Sequence, residues 1–118
     1  MFKTPKDDAG YSWTAHSFIK MRQYGISEGR IKRIIRFPKR TEEGIVEKTI
    51  AVMQPAGTKR YQEIWVMYKL AKRASSKSQF SISKQPQIKI ITTWRYPGKS
   101  PERDPVPLEI INEIRNLV

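Results

Sequence analysis

The sequence predicts an α+β domain: an N-terminal helical hairpin packed on an antiparallel sheet of three to four strands, plus a C-terminal helix. Three observations predict it. Two capped segments with helical apolar spacing fill residues 14–36. The apolar period then drops towards two across most of residues 39–96. A proline-rich tract follows, and helical spacing returns at the end. Strands grouped after helices favour a segregated antiparallel sheet over alternating βαβ units. At 118 residues the chain is expected to form one domain with a modest core.

Residues 1–10 read as a polar lead-in. Thr14 is a suitable N-cap for a first helix. Thr14, Phe18, Met21 and Gly25 share one face of it, with Ile19 beside them and His16, Lys20 and Gln23 on the other side. Gly25 is the expected stop, and Ile26 makes the hydrophobic contact that accompanies such a stop. Ser27 caps a second helix whose stripe is Ile31, Ile34 and Ile35, and Pro38 ends it. Residues 39–45 suit a short edge strand. Lys48–Met53 forms a strand that ends in the turn QPAGTK. Arg60–Leu70 is a longer strand, rich in aromatic and β-branched residues. Residues 71–86 are rich in Ser and Lys and contain no acid, which suits a basic hairpin extension or loop. Gln87–Tyr96 is the next strand. Residues 105–118 hold the last helix, with Pro107 at its first position and Leu108, Ile111 and Ile114 as its apolar line, widened by Ile110 and Leu117.

Charge narrows the function. Lys and Arg number 23 against 11 acids, a net +12. Such a field attracts polyanions: RNA, DNA, an acidic protein or, less readily, an anionic membrane. A nucleic acid or an acidic protein is the expected partner. There is one histidine and no cysteine. That excludes disulfides and thiolate zinc, predicts no metal or other cofactor, and fits a reducing cytoplasm. No apolar run approaches membrane length, and MFKTPKDDAG lacks the apolar core of a secretory leader. A glycine-rich phosphate loop and a nucleophile elbow are both missing, so triphosphate and acyl-transfer chemistry have no support.

The remaining chemistry is cationic. Between Tyr11 and Arg40 the chain carries eight Lys/Arg and one acid, Glu28. Arg30, Lys32, Arg33, Arg36, Lys39 and Arg40 form the expected phosphate footprint, against the plainer reading of a solvated helix face. Lys72, Arg73, Lys77 and Lys84 are a rival footprint. Trp65 is a candidate to stack an unpaired base, although strand tryptophans are more often core. Metal-free RNA cleavage needs a proton-transfer group and cations at the phosphate. His16 and Lys20, at i and i+4, share a helical face. Arg95 joins them as a candidate if the hairpin brings the end of the last strand to the same cleft.

These residues also carry a resemblance. Trp13-Thr14-Ala15-His16, Lys20-Met21-Arg22, Tyr24-Gly25-Ile26-Ser27 and Ile31-Lys32-Arg33-Ile34-Ile35 resemble the "HA…R…RGI(S/T)" hairpin of a prokaryotic family of unknown function. Ile90-Ile91-Thr92-Thr93-Trp94-Arg95-Tyr96 is similar to its "viT…y" strand. Tyr24 stands where that family has an arginine. The family is similar to the BrnT and RelE toxin groups, small α+β ribonucleases that place no fixed histidine here. The resemblance spans about residues 11–96, with 71–86 as an insertion. It implies the fold first and RNA cleavage second, with an acidic antitoxin-like protein as a partner. Two other readings stand beside the ribonuclease: a non-catalytic RNA- or DNA-binding module, and an interaction protein that docks an acidic partner.

Overall fold

The computed structural model describes residues 4–71 and 86–115. They form an α+β fold of three helices and one mixed five-stranded sheet, two faces of which are covered. In chain order the elements are β1 (Tyr11–Trp13), α1 (Ala15–Tyr24), α2 (Glu28–Arg36), β2 (Arg40–Glu43), β3 (Thr49–Pro55), β4 (Gln62–Ala71), β5 (Gln87–Pro97) and α3 (Leu108–Arg115). The basic extension expected within 71–86 and the end of the last helix fall largely outside the described residues.

The sheet order is β1-β5-β4-β3-β2. The pairs β2–β3, β3–β4 and β4–β5 are antiparallel, as expected. β1 was not expected. It pairs parallel with β5, Tyr11 opposite Ile88 and Trp13 opposite Ile90, which makes the sheet mixed. A parallel neighbour needs a long crossover, and everything between β1 and β5 supplies it.

α1 takes over beside β5 where β1 stops. The Thr14 backbone N–H donates to the Ile90 carbonyl at 3.2 Å, and its hydroxyl donates to the Ile91 carbonyl at 2.9 Å. At the other end of the helix, Arg95 Nε donates to the Tyr24 carbonyl at 2.9 Å. A helix here covers a strand edge that would otherwise be open to pairing. The caps are those the sequence predicts. Thr14 Oγ1 accepts from Ser17 N, Ser27 Oγ accepts from Arg30 N, and Gly25 ends α1 at φ 66°.

Each sheet face has its own core. Val52, Ile64, Val66 and Ile90 pack under Met21, Ile26, Ile31 and Ile34 of the hairpin. Ala51, Met53, Trp65, Met67 and Trp94 pack under Val106, Ile110 and Ile114. The central strand β4 is therefore buried on both sides from Glu63 to Met67.

Two helix registers differ from expectation. Ile19 is exposed while Lys20 is buried, because α1 meets α3 as well as the sheet. In α3, Leu108 is 71 % exposed and Ile110 and Ile114 are buried. The line led by Leu108 is thus rotated towards the i, i+4 pair Ile110–Ile114, which has the Trp65–Trp94 surface to cover.

Candidate nucleic-acid interface

The sheet divides the candidate residues into two groups. Ile64 and Arg95 are paired across β4 and β5, so both side chains leave the sheet on the hairpin side. There Arg95 meets Arg30 and Arg33 of α2 in an open cleft of about 330 Å³, floored by Ile64 and Ala56. Ser27 and Gly29, at the N-terminal turn of α2, form one wall. A helix N-terminus carries free N–H groups and a partial positive charge, so this wall too favours anions.

Among the described residues no carboxylate lines this cleft. Its arginines are positioned by neutral acceptors. Arg30 Nη2 donates to the Pro55 carbonyl at 2.6 Å, and Arg95 is held by Tyr24. The Nε of Arg30 is buried with no hydrogen-bond partner among the described residues. Burial, then the charges of Arg33 and Arg95, holds the Arg30 guanidinium below its ordinary range. Guanidinium stays protonated in proteins, so the cleft stores repulsion between like charges. A bound oxyanion relieves that repulsion and can take paired N–H donors from each fork.

The rest of the expected footprint splits. Arg33, Arg36 and Lys39 are exposed. Lys32 is spent on Glu28 at 2.7 Å and lies over the Tyr11 ring. Arg40 faces inward, bonded to Glu42 at 2.9 Å and to Ser100 Oγ at 2.9 Å, and lies over Trp65. Trp65 itself has no exposed surface and stacks on Trp94 at 6.0 Å. It has no free ring face to offer a base, so the core reading of Trp65 is the one its burial fits.

No family model, curated protein or solved structure matches this chain.

His16 and Lys20 do share a helix face, but that face meets α3 and not Arg95. Lys20 Nζ lies 2.5 Å from Glu113 Oε1 and 3.5 Å from Glu109 Oε1. Burial alone would push the Lys20 ammonium down; the hydrogen bond and charge of Glu113, helped by Glu109, outweigh it and hold the pKa above the ordinary value. His16 Nε2 stands 3.6 Å from Glu113 Oε2, beyond hydrogen-bond length, and is buried without a hydrogen-bond partner among the described residues. Burial lowers the imidazole pKa despite Glu113, and Lys20 lowers it further. The imidazole is therefore neutral at pH 7, and the Glu113 charge is answered by Lys20. His16 and Arg95 open onto different cavities. The single cleft expected from His16, Lys20 and Arg95 is thus absent from this conformation.

Sequence reasoning missed three residues near these groups. Glu113 was not singled out because nothing local marks a carboxylate that must meet a lysine ninety-odd positions away. Lys69 and Lys89 share the His16 cavity. Their strand parity was readable, since Lys69 follows Trp65 and Met67 at steps of two. Their pairing across β4 and β5 was not.

Proposed function

We propose that this chain binds single-stranded RNA through the arginine cleft of α2 and β5. The observation that carries the proposal is the convergence of Arg30, Arg33 and Arg95 in a cleft that no carboxylate among the described residues lines. Exposed Arg36 and Lys39 extend the footprint along and beyond α2. A net charge of +12 supplies the long-range attraction. RNA is favoured over an acidic protein because guanidinium forks fixed by backbone carbonyls suit repeated, geometrically uniform phosphates.

The test is fluorescence anisotropy with a labelled oligouridylate. Arg33→Glu combined with Arg36→Glu should weaken binding by more than about tenfold at low salt and flatten the salt dependence. Unchanged affinity would sink the proposal.

RNA cleavage is the second reading, supported by the resemblance to the BrnT and RelE groups and by a neutral imidazole at the wall of a lysine-bearing cavity. It predicts new RNA ends in the presence of EDTA. His16→Gln should keep RNA affinity and lower cleavage by about two to four orders of magnitude. Cleavage at the wild-type rate in that variant would give His16 a packing role only.

A further inference from the structure

The cavity that His16 borders has a volume of about 350 Å³, within the size range of small-molecule sites. It lies on the α3 side of the sheet, beside Ile114. Lys69 and Lys89 both line it, and they stand directly opposite each other on β4 and β5. Like charges so placed destabilise a strand pair. Among the described residues neither lysine forms an ion pair.

The other walls are apolar or already satisfied. Val46, Ile91 and Ile114 give aliphatic surface. The hydroxyls of Thr14 and Thr49 donate to the Ile91 and Val46 carbonyls, at 2.9 Å and 2.6 Å. The cavity therefore presents an apolar floor with two ammonium groups that no carboxylate among the described residues answers. A ligand that fits has a flat or compact apolar body and a doubly charged head. A carboxylate would leave one ammonium unanswered, whereas a phosphate monoester answers both.

We infer that this cavity binds one nucleoside monophosphate, its base against Val46, Ile91 and Ile114 and its phosphate on Lys69 and Lys89. The site is separate from the arginine cleft. It extends the RNA-binding proposal by naming where an unpaired end nucleotide is held, but its own evidence is the lysine pair and the apolar floor.

Titration calorimetry of the full chain with adenosine 5′-monophosphate tests it. One saturable site is expected, with adenosine alone and inorganic phosphate alone each binding at least about tenfold more weakly, because each lacks one half of the recognition. Lys69→Gln with Lys89→Gln should weaken the nucleotide by about 10- to 100-fold, the loss expected for charged hydrogen bonds. Lys69→Arg with Lys89→Arg keeps the charges and should retain binding, which separates ligand contact from damage to the strands. Arg33→Gln should leave the nucleotide affinity unchanged. The inference is overturned if the double glutamine variant binds as well as wild type. It is overturned equally if Arg33→Gln abolishes nucleotide binding, which would move the site to the arginine cleft, or if octanoate binds as tightly as the nucleotide, which would make this a carboxylate pocket. Failure of the RNA proposal reads differently: oligouridylate affinity would be unmoved by the Arg33/Arg36 reversal, with nucleotide binding intact.

Discussion

At the scale of single residues, the most constrained group is a carboxylate that takes no part in the proposed site. Glu63 has no exposed surface. It accepts from Ser100 Oγ at 2.5 Å, Ser100 N at 3.2 Å, Trp65 Nε1 at 3.0 Å and the Tyr61 hydroxyl at 2.9 Å, with Arg40 Nη1 3.6 Å away. Burial works to raise its pKa, but the hydrogen bonds from Ser100, Trp65 and Tyr61 win and hold it below the ordinary carboxylate value. Removing the carboxylate leaves the Trp65 indole, the Tyr61 hydroxyl and the Ser100 donors without their acceptor, while Arg40 keeps Glu42. Glu63→Ala should therefore cost about 3–5 kcal/mol in denaturant titration, since each buried donor left unsatisfied costs about 1–3 kcal/mol. A loss under about 1 kcal/mol would show that the network is expendable. Glu63 and His16 both contribute to the acid response, beside the depressed carboxylates Asp8 and Glu42, and their signs agree. Glu63 is depressed, so its contribution is present above its unfolded value of 4.5 and is lost as pH falls through the folded pKa. His16 is depressed as well, and for an imidazole this means the folded state resists protonation. Its contribution is complete above the unfolded value of 6.5 and declines as pH falls below it. Stability should begin to fall near pH 6.5, and His16→Gln should remove that first part of the decline while leaving the later carboxylate part. An identical profile in the variant would mean that His16 is not desolvated in solution.

At the scale of elements, legibility followed the range of the interactions. The ends of α2 and its buried pair Ile31 and Ile34 were readable because the Ser27 cap, the apolar spacing and Pro38 are local. Ile35, expected in the stripe, is only partly buried, and Arg30, expected in solvent, is half-buried against β3. Ile34 is fully buried, so Ile34→Ala should cost about 2–5 kcal/mol. α1 had readable caps but an unreadable second face, since Lys20 is buried only because Glu113 is brought to it from α3. α3 was placed but rotated, its true stripe being chosen by the tryptophan pair it covers. β1 left no signal, for three residues cannot show a period and its partner lies more than seventy positions on. The same division holds for the site. The α2 arginines were visible as a charge run, whereas the cleft they form with Arg95, and the loss of Lys32 and Arg40 to internal pairs, are products of tertiary packing. Thr14 links the two ranges. Its hydroxyl caps α1 and also ties that helix to β5 through the Ile90 and Ile91 carbonyls. Thr14→Val keeps the shape and removes these bonds, and should destabilise by at least the roughly 0.5–2 kcal/mol of a lost N-cap. A thermal scan showing no change would mean that the helix is fixed by its apolar contacts alone.

At the scale of the whole molecule, two accounts of RNA affinity must be separated. One is diffuse: a chain with a net charge of +12 attracts any polyanion, wherever the charges lie. The other is local: phosphates are held in the arginine cleft and along α2. Both predict weaker binding at higher salt, so salt sensitivity alone cannot choose between them. Charge-matched variants can. Arg33→Glu with Arg36→Glu, and Lys6→Glu with Lys99→Glu, change the net charge equally. All four positions are exposed, and of them only Arg33 lines the cleft. Under the diffuse account both doubles lose the same affinity, mostly in the association rate, which is where long-range steering acts. Under the local account the Arg33/Arg36 variant loses more and its complexes dissociate faster. Each phosphate contact removed lowers the slope of log affinity against log salt for a single strand by about 0.7. Between about 50 mM and about 200 mM salt the Arg33/Arg36 variant should therefore show a slope shallower by about 1.4, against almost no change for the Lys6/Lys99 control. Equal slopes in the two variants would reduce the cleft to one basic patch among several.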